Sequence, residues 1–530
     1  MSVHFNQTLL HHCVEQSALR YPEQIALTWR DSNMNYRSLA AEIDALAGAL
    51  VQLGLKKSDR VAIYLPKQFE TVISIFACSK AGLIFVPVNP LLKREQVAHI
   101  LQDSGAKLLI TGQTRLRGLT PGFQHCVALQ HIIVCDAIDD ASSAAGKNLI
   151  QWSELATSTQ AVTTAIIDTD PLAIFYTSGS TGLAKGVLLS HRNMLSGAQS
   201  VVTYLNNRPD DVLLALLPLS FDYGFSQLSS AMLVGARLVL MEYLLPQDVV
   251  KILDKENITG LAAVPSLWLQ LSRQQFPETV QRRLRYLTNS GGHLPVPCLR
   301  TLQTLLPHSK IYLMYGLTEA FRSTYLDPDL LDQHPTSIGS AIPNAEVLVL
   351  REDGSECEVG EAGELVHRGS LVAMGYWNDP ELTAQRFRPI PARVGGSSLA
   401  EIAVWSGDTV KKDAQGLLYF IARRDEMIKT SGYRVSPGEI EWGLQHEFTQ
   451  HEFAAFAIAH PELGQAIVLA IAGDSDIREQ AAARLREDLP KFMQPQHIVH
   501  LDRLPLNNNN KVDRKSLSRQ FQYLATDAPA

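Results

Sequence analysis

The chain has 530 residues, of which 46% are hydrophobic and 19% charged, a formal net charge of −7 at pH 7 and a mean hydropathy near zero. That length is more than one hydrophobic core fills, so two or more domains are expected. The acidic balance, with no Lys/Arg block, excludes a nucleic-acid surface as the main business, and no uncharged run of about 18 apolar residues exists to span a membrane.

The first 22 residues carry an interrupted, polar helix pattern without the basic and apolar regions of a signal peptide. Six scattered cysteines, Cys13, Cys78, Cys126, Cys135, Cys298 and Cys357, form no CxxC pair and read as reduced thiols of a cytoplasmic protein. Apolar runs predict strands at 61–65, 83–86 and 107–111, with helical periodicity over 69–81 and 95–103 between them. The stretch 113–169 reads as loop-rich. Strands are predicted at 172–176 and 187–189, then at 213–217, 237–240, 260–264 and 310–314, with helices running to 234 and over 247–256. Alternating strand and helix implies crossover units and mostly parallel sheets covered on both faces. Ligands of such sheets sit beyond the carboxyl ends of the strands, so chemistry is expected after residues 217, 287 and 314. Short alternating strands over 338–375 predict a small β-rich subdomain, and 427–530 is long enough for a small α/β domain of its own.

The most pointed stretch is Thr177-Ser178-Gly179-Ser180-Thr181-Gly182-Leu183-Ala184-Lys185-Gly186, set between two apolar strands. Glycines let backbone N–H groups approach oxygens closely, hydroxyls add donors and a Lys adds charge, which is what a polyphosphate needs. The spacing is not that of Walker A, because Lys185 is followed by Gly186 rather than by Ser or Thr. A flexible polar hairpin is the bland alternative, but hairpin turns rarely gather four hydroxyls and three glycines.

Polar residues also follow the other strands. Tyr315-Gly316-Leu317-Thr318-Glu319 closes one strand, and Asn289-Ser290-Gly291-Gly292 closes another and allows flat approach by a base ring. Ser406-Gly407-Asp408 offers a carboxylate suited to ribose hydroxyls, and Lys511 stands on a polar loop after four asparagines. Taken singly, each has a plain explanation: Asp408 a turn residue, Glu319 a helix-start acid, Lys511 a solvated loop Lys, and Arg423-Arg424-Asp425 a solvated linker.

Together and in this order, over roughly 24–516, these strings resemble the AMP-forming adenylating superfamily of acyl-CoA synthetases, luciferases and peptide-synthetase adenylation domains. At a finer level, 287–292, 315–325 and 423–437 look like a subgroup of acyl ligases first grouped by association with the exosortase A system. The resemblance implies an α/β fold: a large amino-terminal domain of mostly parallel sheets flanked by helices, with the β-rich subdomain, over 1–423; a hinge at 424–426 centred on Asp425; and a small, mobile α/β domain over 427–530. It also implies two steps. A carboxylate attacks the α-phosphate of ATP and expels pyrophosphate; a thiol then attacks the acyl-adenylate and releases AMP.

Residue by residue, the resemblance gives Thr177, Ser178, Gly179, Ser180, Thr181, Gly182 and Lys185 to the β- and γ-phosphates, and Gly291, Gly292, Tyr315 and Gly316 to the adenine. Asp408 and Arg423 correspond to ribose contacts, Thr318 to the α-phosphate hydroxyl and Glu319 to the Mg²⁺ carboxylate. Lys511 corresponds to the catalytic Lys, and Gly432 to the point where a pantetheine arm threads in. Two positions depart from the pattern: Asn510 and Ala422 stand where Gly is usual before the catalytic Lys and the ribose Arg.

The acid is read from Leu217-Pro218-Leu219-Ser220-Phe221-Asp222-Tyr223-Gly224. Acyl and aryl ligases of the superfamily usually carry a His here; amino-acid-activating domains carry Phe-Asp, with the Asp pairing the substrate ammonium. Asp222 thus points to an amino acid, the alternative being a cap on the helix that follows. By the same resemblance Phe221, Tyr223, Ser226, Thr288, Met314, Arg322 and Ser323 line the acyl pocket, with Arg322 either meeting a polar group of the substrate or holding a carbonyl. The expected function is Mg²⁺-dependent activation of an amino acid and transfer to the phosphopantetheine of a carrier protein, by a monomer or dimer. The alternatives are an acyl-CoA synthetase for a short-chain or aryl acid, with CoA as acceptor, and a catalytically silent nucleotide-binding homologue.

Overall fold

The structure is a computed structural model that describes residues 7–138, 146–155, 162–177, 183–390, 400–423, 427–448, 450–473, 475–505 and 512–526. Two large sheets dominate. One runs in the order Gly375–Tyr376, Lys185–Ser190, Pro171–Thr177, Ile84–Pro87, Arg60–Tyr64, Leu108–Thr111, His131–Val134, Asn148–Gln151, and is parallel from Pro171–Thr177 onward. The other has nine strands, with Lys310–Tyr315, Tyr286–Asn289, Gly260–Ala263, Val212–Ala215, Arg237–Leu240 and Ile25–Trp29 side by side and parallel. Strands such as Leu108–Thr111 and Gly260–Ala263 are buried at every position, which is why they read as unbroken small or apolar runs rather than alternating ones.

The helix Asp222–Val234 lies between the two sheets. Its Phe225 stacks on Phe85 and meets Phe175 edge-on, at centroid distances of 5.6 and 5.5 Å, while its Tyr223 hydroxyl reaches Thr288 of the nine-stranded sheet. A helix buried on all sides keeps no charged, solvated face, and every residue from Tyr223 to Leu233 is buried, the polar Ser226, Gln227, Ser229 and Ser230 among them. The carboxyl ends of its neighbours Val212–Ala215, Tyr286–Asn289 and Lys310–Tyr315 open beside its amino terminus.

An antiparallel sheet of Ala345–Leu350, Ala362–Gly369, Ile402–Lys412, Phe387–Pro389 and Leu418–Arg423 forms the predicted β-rich part. A fourth sheet, from Ile428–Thr430 to His497–Leu501, packs its own apolar clusters against Pro437–Glu447, Arg478–Asp488 and Arg514–Gln520.

One expectation is corrected. The stretch read as loop-rich holds the helix Gln113–Leu119 and two strands, His131–Val134 and Asn148–Gln151, that extend the parallel sheet at its edge. These strands are four residues each, too short for a period of two to stand out. Their partners across the sheet supply the missing apolar context.

Candidate active site

A cleft of about 1900 Å³ opens where the carboxyl strand ends of the nine-stranded sheet face the carboxy-terminal sheet. Tyr315, the last residue of Lys310–Tyr315, is 8% exposed and donates its hydroxyl proton to Asp408 Oδ2 over 2.5 Å. Asp408 is not a turn residue. It lies inside the long strand Ile402–Lys412, beside a bulge at Gly407, whose φ is +73° and whose N–H donates to Glu364 Oε1 at 2.9 Å. A Cβ at Gly407 would fall 2.1 Å from Arg386 Nη1, so glycine permits the extra residue that turns the strand locally. Arg423 sits directly across the ladder from Asp408, and Ala422 across from Thr409.

Gly291 (φ +80°) and Gly292 follow the strand Tyr286–Asn289, and Asn289 Nδ2 donates to Gly292 O at 3.0 Å, flattening the turn. Thr177 ends Pro171–Thr177, and Lys185 begins the antiparallel partner strand opposite it. Lys185 Nζ is 3.8 Å from Asp379 Oδ2. Ser178, Gly179, Ser180, Thr181, Gly182, Asp425 and Lys511 lie outside the described residues.

Thr318 and Glu319 open a single 3-10 turn, Thr318–Ala320, followed by Phe321 at φ +55° and ψ −39°. Arg322 N–H donates to Ala320 O over 2.6 Å, so Phe321 is the centre of a γ-turn of the rare, strained hand. This turn reverses the chain between Glu319 and Arg322. Glu319 is 8% exposed; Tyr376 donates to its Oε1, and its carbonyl accepts from Ala373 N–H at 2.9 Å. Burial and then the neighbouring Glu319 carboxylate hold the Tyr376 hydroxyl far above its usual range. Thr318 and Glu319 offer hard oxygen donors, a donor set that fits Mg²⁺.

Asp222 is the first residue of its helix. Phe221, not Asp222, holds the N-cap position and makes no side-chain capping bond; Asp222 stands in the first turn, its carboxyl accepting from the backbone N–H groups of Asp222 and Tyr223. Burial raises the Asp222 carboxyl above its usual range, with the Arg322 guanidinium opposing. Arg322 Nη1 stands 3.5 Å from Asp222 Oδ2, and Nη2 donates to Asp222 O at 3.3 Å and Ser226 Oγ at 3.1 Å. The guanidinium also lies 4.7 Å from the Tyr223 ring centroid. Tyr223 Oη and Thr288 Oγ1 share a hydrogen bond of 2.7 Å, Tyr204 donates to Met314 Sδ at 3.0 Å, and Ser323 Oγ meets His367 Nδ1 at 3.0 Å. Gly224 is required here, since a Cβ would lie 2.0 Å from Pro218 O.

From the carboxy-terminal sheet, the hairpin joining Ile428–Thr430 to Tyr433–Val435 reaches into the cleft on Ser431 and Gly432, both at positive φ, +51° and +81°. A Cβ on Gly432 would lie 2.4 Å from Val264 Cγ2, and Gly432 O lies 4.0 Å from the Cβ position of Gly291. Tyr433 stacks on Phe492 at 3.8 Å and meets Phe221 edge-on at 5.5 Å.

Residues 14–377 match the family described as AMP-binding enzyme, more than half of the chain. The chain belongs to the AMP-binding enzyme family. Among its curated relatives, a linear gramicidin synthase of Brevibacillus parabrevis is 31% identical over 515 residues, covering 96% of this chain and 10% of that protein. The chain therefore spans only a small part of that relative's length. Two solved structures share the fold: a double mutant of o-succinylbenzoate CoA synthetase (MenE) from Bacillus subtilis (TM-score 0.79, 24% identity, 98% of each chain), and the fused adenylation-PCP di-domain NpsA-ThdA from Klebsiella oxytoca (TM-score 0.78, 23% identity, 94% of each).

Of the family positions expected from sequence, Tyr315, Gly316, Thr318, Asp408, Gly291, Gly292, Asp222, Tyr223, Met314 and Gly432 line one cleft. Ser226, Thr288, Glu319 and Arg322, expected in the site, are instead buried behind the cleft lining, Ser226 and Arg322 in contact with Asp222 or its partner, Thr288 bonded to Tyr223 and Glu319 next to the lining residue Thr318. Two contributors went unread in the sequence, Tyr376 on Glu319 and Asp379 near Lys185. Each lies between the strands Ala362–Gly369 and Phe387–Pro389 of the antiparallel sheet, and the pairing of Gly375–Tyr376 with Lys185–Ser190 brings them in. No local motif announces a contact made by that pairing.

Proposed function

We propose that this AMP-binding enzyme activates an amino-bearing carboxylic acid as its acyl-adenylate and passes the acyl group to a thiol, that of a carrier protein's phosphopantetheine. The observation that carries the reading is the convergence of Tyr315, Asp408, Thr318 and Asp222 on one cleft, with Glu319 buried next to Thr318 in the same turn. Adenine lies on Gly291 and Gly292 against Tyr315; Asp408 and Arg423 take the ribose hydroxyls. The loop 177–185 takes the β- and γ-phosphates, with Asp379 steadying Lys185. Mg²⁺, when bound at Glu319, shields the triphosphate charge. Tyr376 fixes the rotamer of that carboxylate.

In the first step a substrate carboxylate oxygen bonds to the α-phosphorus as the bond to the bridging oxygen breaks and pyrophosphate leaves. The Thr318 hydroxyl and the Lys511 ammonium stabilise charge on the α-phosphate oxygens. In the second, a thiolate attacks the acyl carbon and AMP leaves. We assign 1–423 to the body, Asp425 to the hinge and 427–530 to a lid that presents Lys511 for the first step and Gly432 for the second. The position of Gly432 against Val264 supports reading this structure as the thiol-transfer arrangement.

Lys511→Ala and Gly432→Leu separate the two steps. The first variant is expected to lose acid-dependent ATP–pyrophosphate exchange while still forming thioester from supplied acyl-adenylate; the second is expected to do the reverse. Equal loss of both half-reactions in either variant contradicts the assignment. Comparing CoA with a holo-carrier protein as acceptor then separates the carrier-protein reading from an acyl-CoA synthetase.

A further inference from the structure

The acyl side of the cleft is bordered by a loosely closed ion pair that is balanced in charge: Asp222 lines the cleft, and Arg322 is buried directly behind Asp222 and Gly316. Among the described residues, Arg322 is the cation within ion-pair distance of Asp222, at 3.5 Å, with side-chain exposures of 2% and 18%. Charge-assisted bonds close to about 2.7–2.9 Å when geometry allows. Elsewhere in this protein Arg285 grips Asp211 with two bonds of 2.8 and 2.7 Å. Arg322 instead spends Nη2 on a backbone carbonyl and the Ser226 hydroxyl, and its buried Nε has no partner among the described residues. The side chain is among the largest that are fully buried, and it packs on Gly316, whose Cβ position lies 3.6 Å from Nη1. Gly316 and Asp222 both line the cleft.

A buried site tolerates an added charge only when that charge is paired. A ligand bringing an ammonium alone would satisfy Asp222 and leave Arg322 uncompensated. A ligand bringing an anion alone would leave Asp222 so. A ligand carrying one of each satisfies both groups and keeps the pocket neutral.

Resting on the adenylation reading above, the geometry points to an amino dicarboxylic acid as the substrate class: the amine pairs with Asp222, a second carboxylate with Arg322, and the remaining carboxylate is the one adenylated. Arg322 is then a specificity-determining residue rather than a packing one.

The test is ATP–pyrophosphate exchange with matched acids: aspartate, glutamate and 3-aminoglutarate; alanine, 2-aminobutyrate and 3-aminobutyrate, which lack the second carboxylate; and succinate and glutarate, which lack the amine. On the unaltered protein, kcat/KM for the best amino dicarboxylate is expected to exceed its counterparts by about 100-fold, the factor that leaving one buried polar group unsatisfied imposes. Arg322→Met is expected to invert the order in favour of amino monocarboxylates, and Arg322→Lys to keep the original order at reduced rate. A structural role alone would lower all rates without inverting them. Preference of the unaltered protein for a neutral amino acid, a fatty acid or an aryl acid overturns the proposal while leaving adenylation standing. Absence of exchange with every acid, fatty and aryl acids included, overturns the adenylation reading itself.

Discussion

The Tyr315 hydroxyl donates a hydrogen bond to Asp408 Oδ2 across 2.5 Å, joining the residue expected beneath the adenine to the residue expected on the ribose. The bond runs from a strand end of the nine-stranded sheet to a bulged strand of the antiparallel sheet. Tyr315→Phe keeps the ring and removes this bond to a carboxylate, an interaction of about 1.5–3 kcal/mol. The expected result is a rise in KM for ATP of roughly 10- to 100-fold with little change in KM for the acid. Initial-rate exchange assays that vary each substrate check the split.

Glu319→Gln should reduce exchange by about 100-fold or more at any Mg²⁺ concentration. Tyr376→Phe leaves the carboxylate but frees its rotamer; the Mg²⁺ concentration for half-maximal exchange is expected to rise about tenfold. A Mg²⁺ titration that superposes on the parent's would remove Tyr376 from the site.

Gly197, on the helix His191–Leu205, makes room for Phe321: a Cβ there would lie 2.4 Å from Phe321 Cδ1. Phe321 is fully buried and already sits at positive φ, so it has little freedom to retreat. Gly197→Val is expected to cost about 1–3 kcal/mol, lowering Tm, and to shift the Thr318–Glu319 turn so that exchange falls as well. Adding Phe321→Ala should restore part of the lost Tm, which a non-interacting pair would not do.

Acid should weaken the fold through its buried imidazoles. Burial lowers His367 to about 3 and His191 to about 4, from an ordinary 6.5. The folded pKa values lie below the unfolded ones, so between them the unfolded chain binds more protons. Stability is therefore full above about pH 6.5 and falls as pH drops toward 3 to 4, by about 1.4 kcal/mol per pH unit for each group. Tm measured from pH 7 to pH 5 should decline, and His367→Gln should make the decline shallower. A Tm independent of pH over that range contradicts this account.

Much of the parallel core could be read from sequence because its strands are buried on both faces and appear as unbroken apolar runs, as at Leu108–Thr111. The short edge strand Asn148–Gln151, flanked by polar residues, had no such signature. The candidate site was legible where motifs are local: Thr318 with Glu319, Gly291 with Gly292. It was not legible where strand pairing brings distant residues together, as for Tyr376 and Asp379. The Asp222–Arg322 contact, between a helix start and the segment just after a 3-10 turn, was hidden in the same way by distance along the chain. Both residues were singled out, but a separation of 100 positions hides the ion pair that alters the pocket's charge.

The most direct test of the central claim is ATP–pyrophosphate exchange by the purified full chain, with and without a panel of amino, fatty and aryl acids, on the parent protein and on Asp222→Ala. Exchange that requires an amino-bearing acid and collapses in Asp222→Ala is the predicted result. Exchange with fatty or aryl acids that is indifferent to Asp222→Ala would contradict the amino-acid reading, and the absence of acid-dependent exchange would contradict adenylation altogether.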